Sequence, residues 1–274
     1  MTKRALIVLI PVAVAAIVFA GFKYSERPKE KDSFIISMVQ EGLTSFHFKP
    51  KQLNDELSSE VMDEYLENLD RNKLFLLRSE VDEIETYRHK IDDEYKANSS
   101  VFFDLSYELL QNGMNRADAM AHEILKTPFD FDKDEATWNN PDKMNWATDQ
   151  AELNDYWRKY LKWRIANRVY NKQRNHLEDV ESGEKEGDFD FAAAEQKARE
   201  DELEMIDEWF ETLQEMERIE WLGVYINSLT AVFDPHTEYM APQRQEDFEE
   251  RMTGQFEGIC AQLRQDGDYI VVPW

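Results

Sequence analysis

Leu53, Leu57, Val61, Tyr65 and Leu69 recur at every fourth position, with Met62 and Leu66 beside them and Asp, Glu and Ser between. That spacing lays one apolar stripe along a period near 3.6 and predicts an amphipathic helix. Ser79, with Asp82 three residues on, reads as a capping pair opening a second helix to about Lys96, where Asn98–Ser100 breaks the pattern. Val101–Lys126 carries Phe102, Leu105, Leu109, Met120 and Ile124, and Asn112-Gly113 interrupts it, which fits one kinked helix or two short ones. Thr127–Pro141, with Pro128, several acids and Asn139-Asn140, predicts a loop whose ends Trp138 and Trp146 pin to the core. Leu153, Trp157, Tyr160, Leu161, Ile165 and Val169 share one face of a helix over Thr148 to about Lys172. An aromatic stripe at helical spacing reads as core packing rather than a ligand box. Glu178–Asp190, acidic with Gly183 and Gly187, reads as a mobile loop, and Ala192–Trp221 resumes helical spacing through Leu203, Ile206, Phe210 and Leu213. No period of 20 to 50 residues repeats, so a solenoid is not supported.

The texture changes after Asp234-Pro235. Pro242, Gly254, Gly258 and Gly267 punctuate short segments, and Asp266-Gly267 between Ala261–Leu263 and the β-prone Tyr269–Val272 predicts a hairpin. Two strands alone are marginal in water, so the hairpin is expected to be the start of a larger domain. At the other end, Lys3 and Arg4 precede Ala5–Phe22, about eighteen residues without a charge, the pattern of an export signal. Val18 and Ala20 would permit cleavage, while the length approaches the roughly 20 residues that span a bilayer and favours an uncleaved anchor. Tyr24–Asp32, with Pro28 among mixed charges, reads as a solvated tether. The fold class expected is mainly α. Residues 1–22 are a signal peptide or membrane anchor, 23–33 a tether, 34–232 a helical domain, 233–257 a connector, and 258–274 a truncated β-hairpin.

Composition narrows the function. With 32 basic against 57 acidic residues the formal charge is −25, which repels polyanions and excludes nucleic acid as a natural ligand. Seven Trp, eleven Tyr and sixteen Phe supply enough apolar surface for a folded body. Cys260 is the single cysteine, which excludes an internal disulfide and a Cys-rich metal knuckle.

Candidate chemistry is sparse. His122-Glu123 opens like a metalloprotease helix, but Lys126 stands where the second zinc histidine belongs. His47, His89, His176 and His236 are scattered without ligand spacing. Asp130, Asp132 and Asp134 imitate half of a calcium loop, yet Glu135 replaces its glycine and Pro141 its bidentate Glu. No G-x-S-x-G elbow, phosphate cradle or Cys/His pair occurs, so a metal-dependent or carboxylate-pair hydrolase would rest on acidic abundance alone. No catalytic, substrate-binding or metal-binding residue and no cofactor is assigned.

Two stretches resemble a known family, the tail-specific or carboxy-terminal-processing serine proteases of the bacterial envelope. The first joins His47, Leu53, Leu57-Ser58-Ser59, Tyr65-Leu66, Leu69-Asp70, Phe75-Leu76 and Ser79-Glu80-Val81, and is similar to the opening of that family's helical domain. The second joins Asp234-Pro235-His236-Thr237-Glu238-Tyr239, Pro242, Phe248 and Phe256-Glu257-Gly258-Ile259, and resembles the passage into a PDZ domain, with Cys260 where the family has a second glycine. The resemblance implies a periplasmic protein, exported or anchored to the inner membrane by residues 5–22. It implies a PDZ domain that holds nonpolar C-termini by strand addition, and a serine nucleophile with a lysine base, both beyond Trp274. The 274 residues alone would then be inactive. A lipoprotein adaptor is a partner the resemblance suggests. Asp234–Thr237 is expected to shape a turn rather than to catalyse. The competing reading is a stand-alone, membrane-tethered helical interaction protein of the envelope.

Overall fold

Side-chain caps start several of the helices, and a glycine ends one. The computed structural model describes residues 28–137, 140–184 and 186–241, together with 245, 248, 252, 264–266 and 269–271. Helix α1 (Pro28–Glu41) runs into a π-helical turn, Gly42–Phe46. Helix α2 (Asp55–Asp70) starts where the Asn54 carboxamide accepts from the Leu57 N–H. Helices α3 (Arg78–Glu85) and α4 (Ile91–Lys96) are short, and α5 (Val101–Leu125) is long. A 3-10 turn at Pro141–Lys143 leads to α6 (Gln150–Ser182), capped by Asp149 at its start and by Gly183 in the left-handed region (φ 77°) at its end. Helix α7 (Phe191–Glu215) is capped by Asp190, and α8 (Arg218–Phe233) closes the series. The predicted mainly helical fold is what the described residues show.

Helix α2 packs on α8, and α6 on α7, with α5 against both α6 and α7. The amphipathic stripe read in α2 is buried as expected, with Leu57, Val61, Tyr65 and Leu69 inside. Tyr225 of α8 lies at the centre of the first aromatic cluster, with ring centroids 5.2 Å from Tyr65, 5.4 Å from Tyr95 and 5.3 Å from Phe102. Between α6 and α7 a second cluster stacks Trp157 on Phe210 at 6.2 Å, with Phe75 5.6 Å from Trp209. Trp157 and Tyr225 are among the largest fully buried side chains.

The turn between α2 and α3 joins these layers. Its backbone is buried without helix partners, so every polar group needs another one. The Asp70 carboxylate accepts the N–H groups of Leu74, Phe75 and Leu76, each at 2.9 Å. The Trp157 indole N–H donates to the Leu74 carbonyl at 2.8 Å, and Arg116 to the Phe75 carbonyl at 2.6 Å. Lys73, itself at φ 54°, donates to the carbonyls of Pro141 and Met144. Arg78 N–H reaches the Ala147 carbonyl at 2.8 Å. Gly113 of α5 lies against this turn so closely that a Cβ there would sit 2.7 Å from the Phe75 carbonyl oxygen.

Several expectations are corrected. The stretch read as a solvated tether contains the start of α1, and Asp32 is only 2% exposed. Its carboxylate takes two hydrogen bonds from Arg218, at 3.0 and 2.7 Å, and Arg218 also pairs with Asp104. The single helix expected from Ser79 to Lys96 is two. Three-residue turns tighten the chain at Tyr87, Arg88 and Lys90, and Ser58 pins the second start by exchanging hydrogen bonds with Asp92. Helix α5 is one uninterrupted helix, because Gly113 serves a close approach rather than a break. Helix α6 continues ten residues past Lys172, into the stretch read as a loop, and stops at Gly183. The helix expected over Ala192–Trp221 divides at Met216, where the Glu217 N–H bonds the Glu220 carboxylate and begins α8. Trp146 packs on the core, whereas Trp138 lies outside the described residues.

Residues from Met240 form a second compact unit. Within it Arg264–Asp266 (β1) pairs antiparallel with Tyr269–Val271 (β2), Gln265 opposite Ile270. Ala261–Leu263, read as the first strand, lie outside the described residues, as does the apolar run 5–22. No described helix is long and apolar enough to cross a membrane.

Candidate functional site

Helix α8 ends at Asp234, whose N–H bonds the Thr230 carbonyl. Pro235 fixes the next dihedral, and the Asp234 carboxylate accepts the His236 N–H at 2.7 Å while its carbonyl accepts from Thr237 at 2.9 Å. The backbone donor of His236, with the imidazole after it, holds the Asp234 carboxyl below its usual value. This is the turn expected from the sequence. The His236 side chain is 93% exposed.

Two contacts bind the turn to the helical body. His47 Nε2 lies 3.3 Å from the Thr237 hydroxyl, and the His47 ring meets Phe233 edge-on at 5.9 Å. Asn227 of α8 uses its whole carboxamide as a backbone mimic: Oδ1 accepts the Tyr239 N–H at 2.7 Å and Nδ2 donates to the Tyr239 carbonyl at 3.0 Å. Lys51 also donates to the Val232 carbonyl. The two stretches singled out in the sequence, one near residue 47 and one near 237, therefore meet in space. Asn227→Ala should leave both Tyr239 backbone groups without partners and cost about 1–3 kcal/mol, read as faster amide exchange at Tyr239 with α2 unchanged.

The other conspicuous positions are structural. Ser58 is buried against Asp92, and Glu80 takes a forked pair from Arg116 at 2.9 and 2.8 Å as well as the Leu77 N–H at 2.7 Å. Glu135, where a calcium loop would carry glycine, is instead bound by Arg158 at 2.6 Å, Lys162 at 2.8 Å and Lys133 at 3.0 Å, which hold its carboxyl far below the usual range. A cavity of about 230 Å³ lies beside the 70–77 turn, between Leu74, Met144 and Tyr156. It is smaller than the roughly 300 Å³ at which ligand pockets begin.

Sequence reading missed one cluster. His122 Nδ1 lies 3.0 Å from Asp118 Oδ1 and Nε2 2.9 Å from Asp207 Oδ1, so a histidine of α5 bridges to α7. Asp118, four residues earlier on the same helix face, was legible, but Asp207 is 85 positions away. The Asp118 backbone carbonyl, then the two carboxylates, raise the His122 pKa. A group whose folded value is raised contributes stability present below its unfolded value of about 6.5 and lost as pH rises through the folded one. Melting temperature should therefore fall as pH rises above about 6.5, and this slope should flatten in Asp207→Asn, with the His122 proton shifts in NMR giving the titration directly.

The sequence profile of the tail-specific protease N-terminal domain matches residues 39–243. The chain is 23% identical over 232 residues to the tail-specific protease of Haemophilus influenzae, an alignment covering 84% of this chain and 30% of that protein. It thus spans under a third of the length of that relative.

Proposed function

Since this chain belongs to the family of the tail-specific protease N-terminal domain, we propose that it is the helical N-terminal part of an envelope serine protease that degrades or processes proteins from a nonpolar C-terminus. The supporting observation is the tie at Asn227, His47 and Thr237, which clamps the end of the helical body at the point where the chain passes to its second unit. Residues Gly258–Trp274 would begin the PDZ domain, and residues 5–22 would export the protein or hold it in the inner membrane. No residue of this chain is assigned the nucleophile or base, and a lipoprotein adaptor is a natural partner for the helical part.

The test uses the cell that makes the protein. An exported reporter ending in a nonpolar tail should accumulate when the gene is deleted, while the same reporter ending in two aspartates should not change. Equal turnover of both reporters with and without the gene would refute the assignment. Purified chain 1–274 should leave a nonpolar-tailed peptide uncut, and cleavage by it would show that the reacting residues lie within these 274.

A further inference from the structure

Helices α5 and α7 leave charge unbalanced where they meet. Asp118 and His122 stand four residues apart on one face of α5, and Asp207 of α7 lies against them. One ligand atom of each of the three lies within 4.8 Å of those of the other two. Among the described residues no Lys or Arg pairs with Asp118 or Asp207, so a single imidazole faces two carboxylates. Even when protonated, the ring leaves one negative charge over.

The hydrogen bonds sharpen this imbalance. The Asp118 carbonyl can only accept, so its 3.0 Å contact with His122 Nδ1 puts a hydrogen on that nitrogen. Asp118 Oδ1, although 3.0 Å from the same nitrogen, is buried and has no hydrogen-bond partner. In the neutral ring Nε2 then carries a lone pair, and Asp207 Oδ1, also an acceptor, stands 2.9 Å from it. Two acceptors in contact beside a buried oxygen that lacks a donor call for a cation.

We propose that Asp118, His122 and Asp207 bind one divalent ion of the zinc class, which clamps α5 to α7. A histidine on a metal donates its other ring N–H to a carboxylate, a backbone carbonyl or water, and Nδ1 is already bound to such a carbonyl. Ligand atoms at about 2.0–2.2 Å from zinc stand roughly 3–3.5 Å from one another, so the Nε2 and Asp207 pair needs little movement. Imidazole with two carboxylates suits zinc, whereas calcium takes about 6–8 oxygens. With the ring neutral, the two charges of the ion match the two carboxylates. The side chains of His122 and Asp207 are 41% and 54% exposed, so the ion enters from solution and water completes its shell.

The test uses the full, untagged chain in nonionic detergent, stripped with a chelator and titrated with zinc chloride at pH 8. Calorimetry should give one zinc per chain, and the His122 ring resonances should move with the added zinc while those of His47, His89, His176 and His236 stay. At a hundredfold excess over the dissociation constant the melting temperature should rise by about 5 °C or more. Asp118→Asn and Asp207→Asn should each weaken binding at least about tenfold, the loss given even by an outer partner of a metal ligand, with far-ultraviolet circular dichroism unchanged. His236→Ala should bind as the parent does. Zinc binding that leaves the His122 resonances in place, or that is equally tight in Asp207→Asn, would overturn the site. Equal shifts of His122 with magnesium chloride would reduce it to an unselective acidic surface. No uptake of zinc at millimolar concentration would end the proposal, and the His122 resonances of the parent decide it even if a variant fails to fold.

Discussion

Asp70→Ala should lower the unfolding free energy by about 3–5 kcal/mol at pH 8, the largest loss expected of any polar substitution in the helical body. Three buried N–H groups, those of Leu74, Phe75 and Leu76, converge on that carboxylate. Each orphaned donor costs about 1–3 kcal/mol, and water entering the space left by the side chain recovers part of the sum. Asp70→Asn keeps one acceptor oxygen and should cost about half as much. Burial pushes the Asp70 carboxyl up to about 7, the three donors pulling against it. Because the folded value lies above the unfolded one, stability falls as pH rises from about 4 to about 7, and Asp70→Asn should remove that component. Urea unfolding at pH 5 and pH 8 reads both effects, and an Asp70→Ala protein within 1 kcal/mol of the parent would refute the role of the carboxylate.

Gly113→Ala should destabilise, against the usual sign of that exchange. In a helix interior alanine is better than glycine by about 1 kcal/mol. Here the new Cβ would stand 2.7 Å from the Phe75 carbonyl oxygen, a backbone atom that Arg116 also holds. Forcing α5 away from the turn costs about 1–3 kcal/mol for a methyl and more for Gly113→Val, which should lose about 3 kcal/mol or more. Chemical denaturation of the pair gives the sign. A gain in stability from Gly113→Ala would mean that α5 and the turn are not in the close contact described.

These two positions also show what the sequence disclosed. Asp70 and Phe75-Leu76 were legible as members of a spaced pattern, but nothing local said that the carboxylate closes a turn on three N–H groups. Gly113 read as a kink because glycine weakens a helix, whereas its partner, Phe75, is 38 residues away. Periodicity found the apolar faces of α2 and α6 because each is written in its own helix. It placed boundaries poorly where a distant contact decides: Asp32 looked like tether until Arg218 claimed it, and Ser58 divides the expected second helix by holding Asp92. The turn at Asp234–Thr237 was legible because Asp and Pro act on their own backbone. Its attachment to Asn227 and His47 was not, since neither residue carries a local signal. His122 met the same limit: its near carboxylate was on the page and its far one was not.

The 70–77 turn is the element on which this account depends, a non-helical segment made rigid by side chains from α2, α5 and α6. Native-state amide exchange tests it most directly. The N–H groups of Leu74, Phe75 and Leu76 should exchange as slowly as those in the middle of α2, and should speed up by orders of magnitude in Asp70→Ala. Exchange at these three amides as fast as in the loop at Asp130–Asp134, in the parent protein, would contradict it.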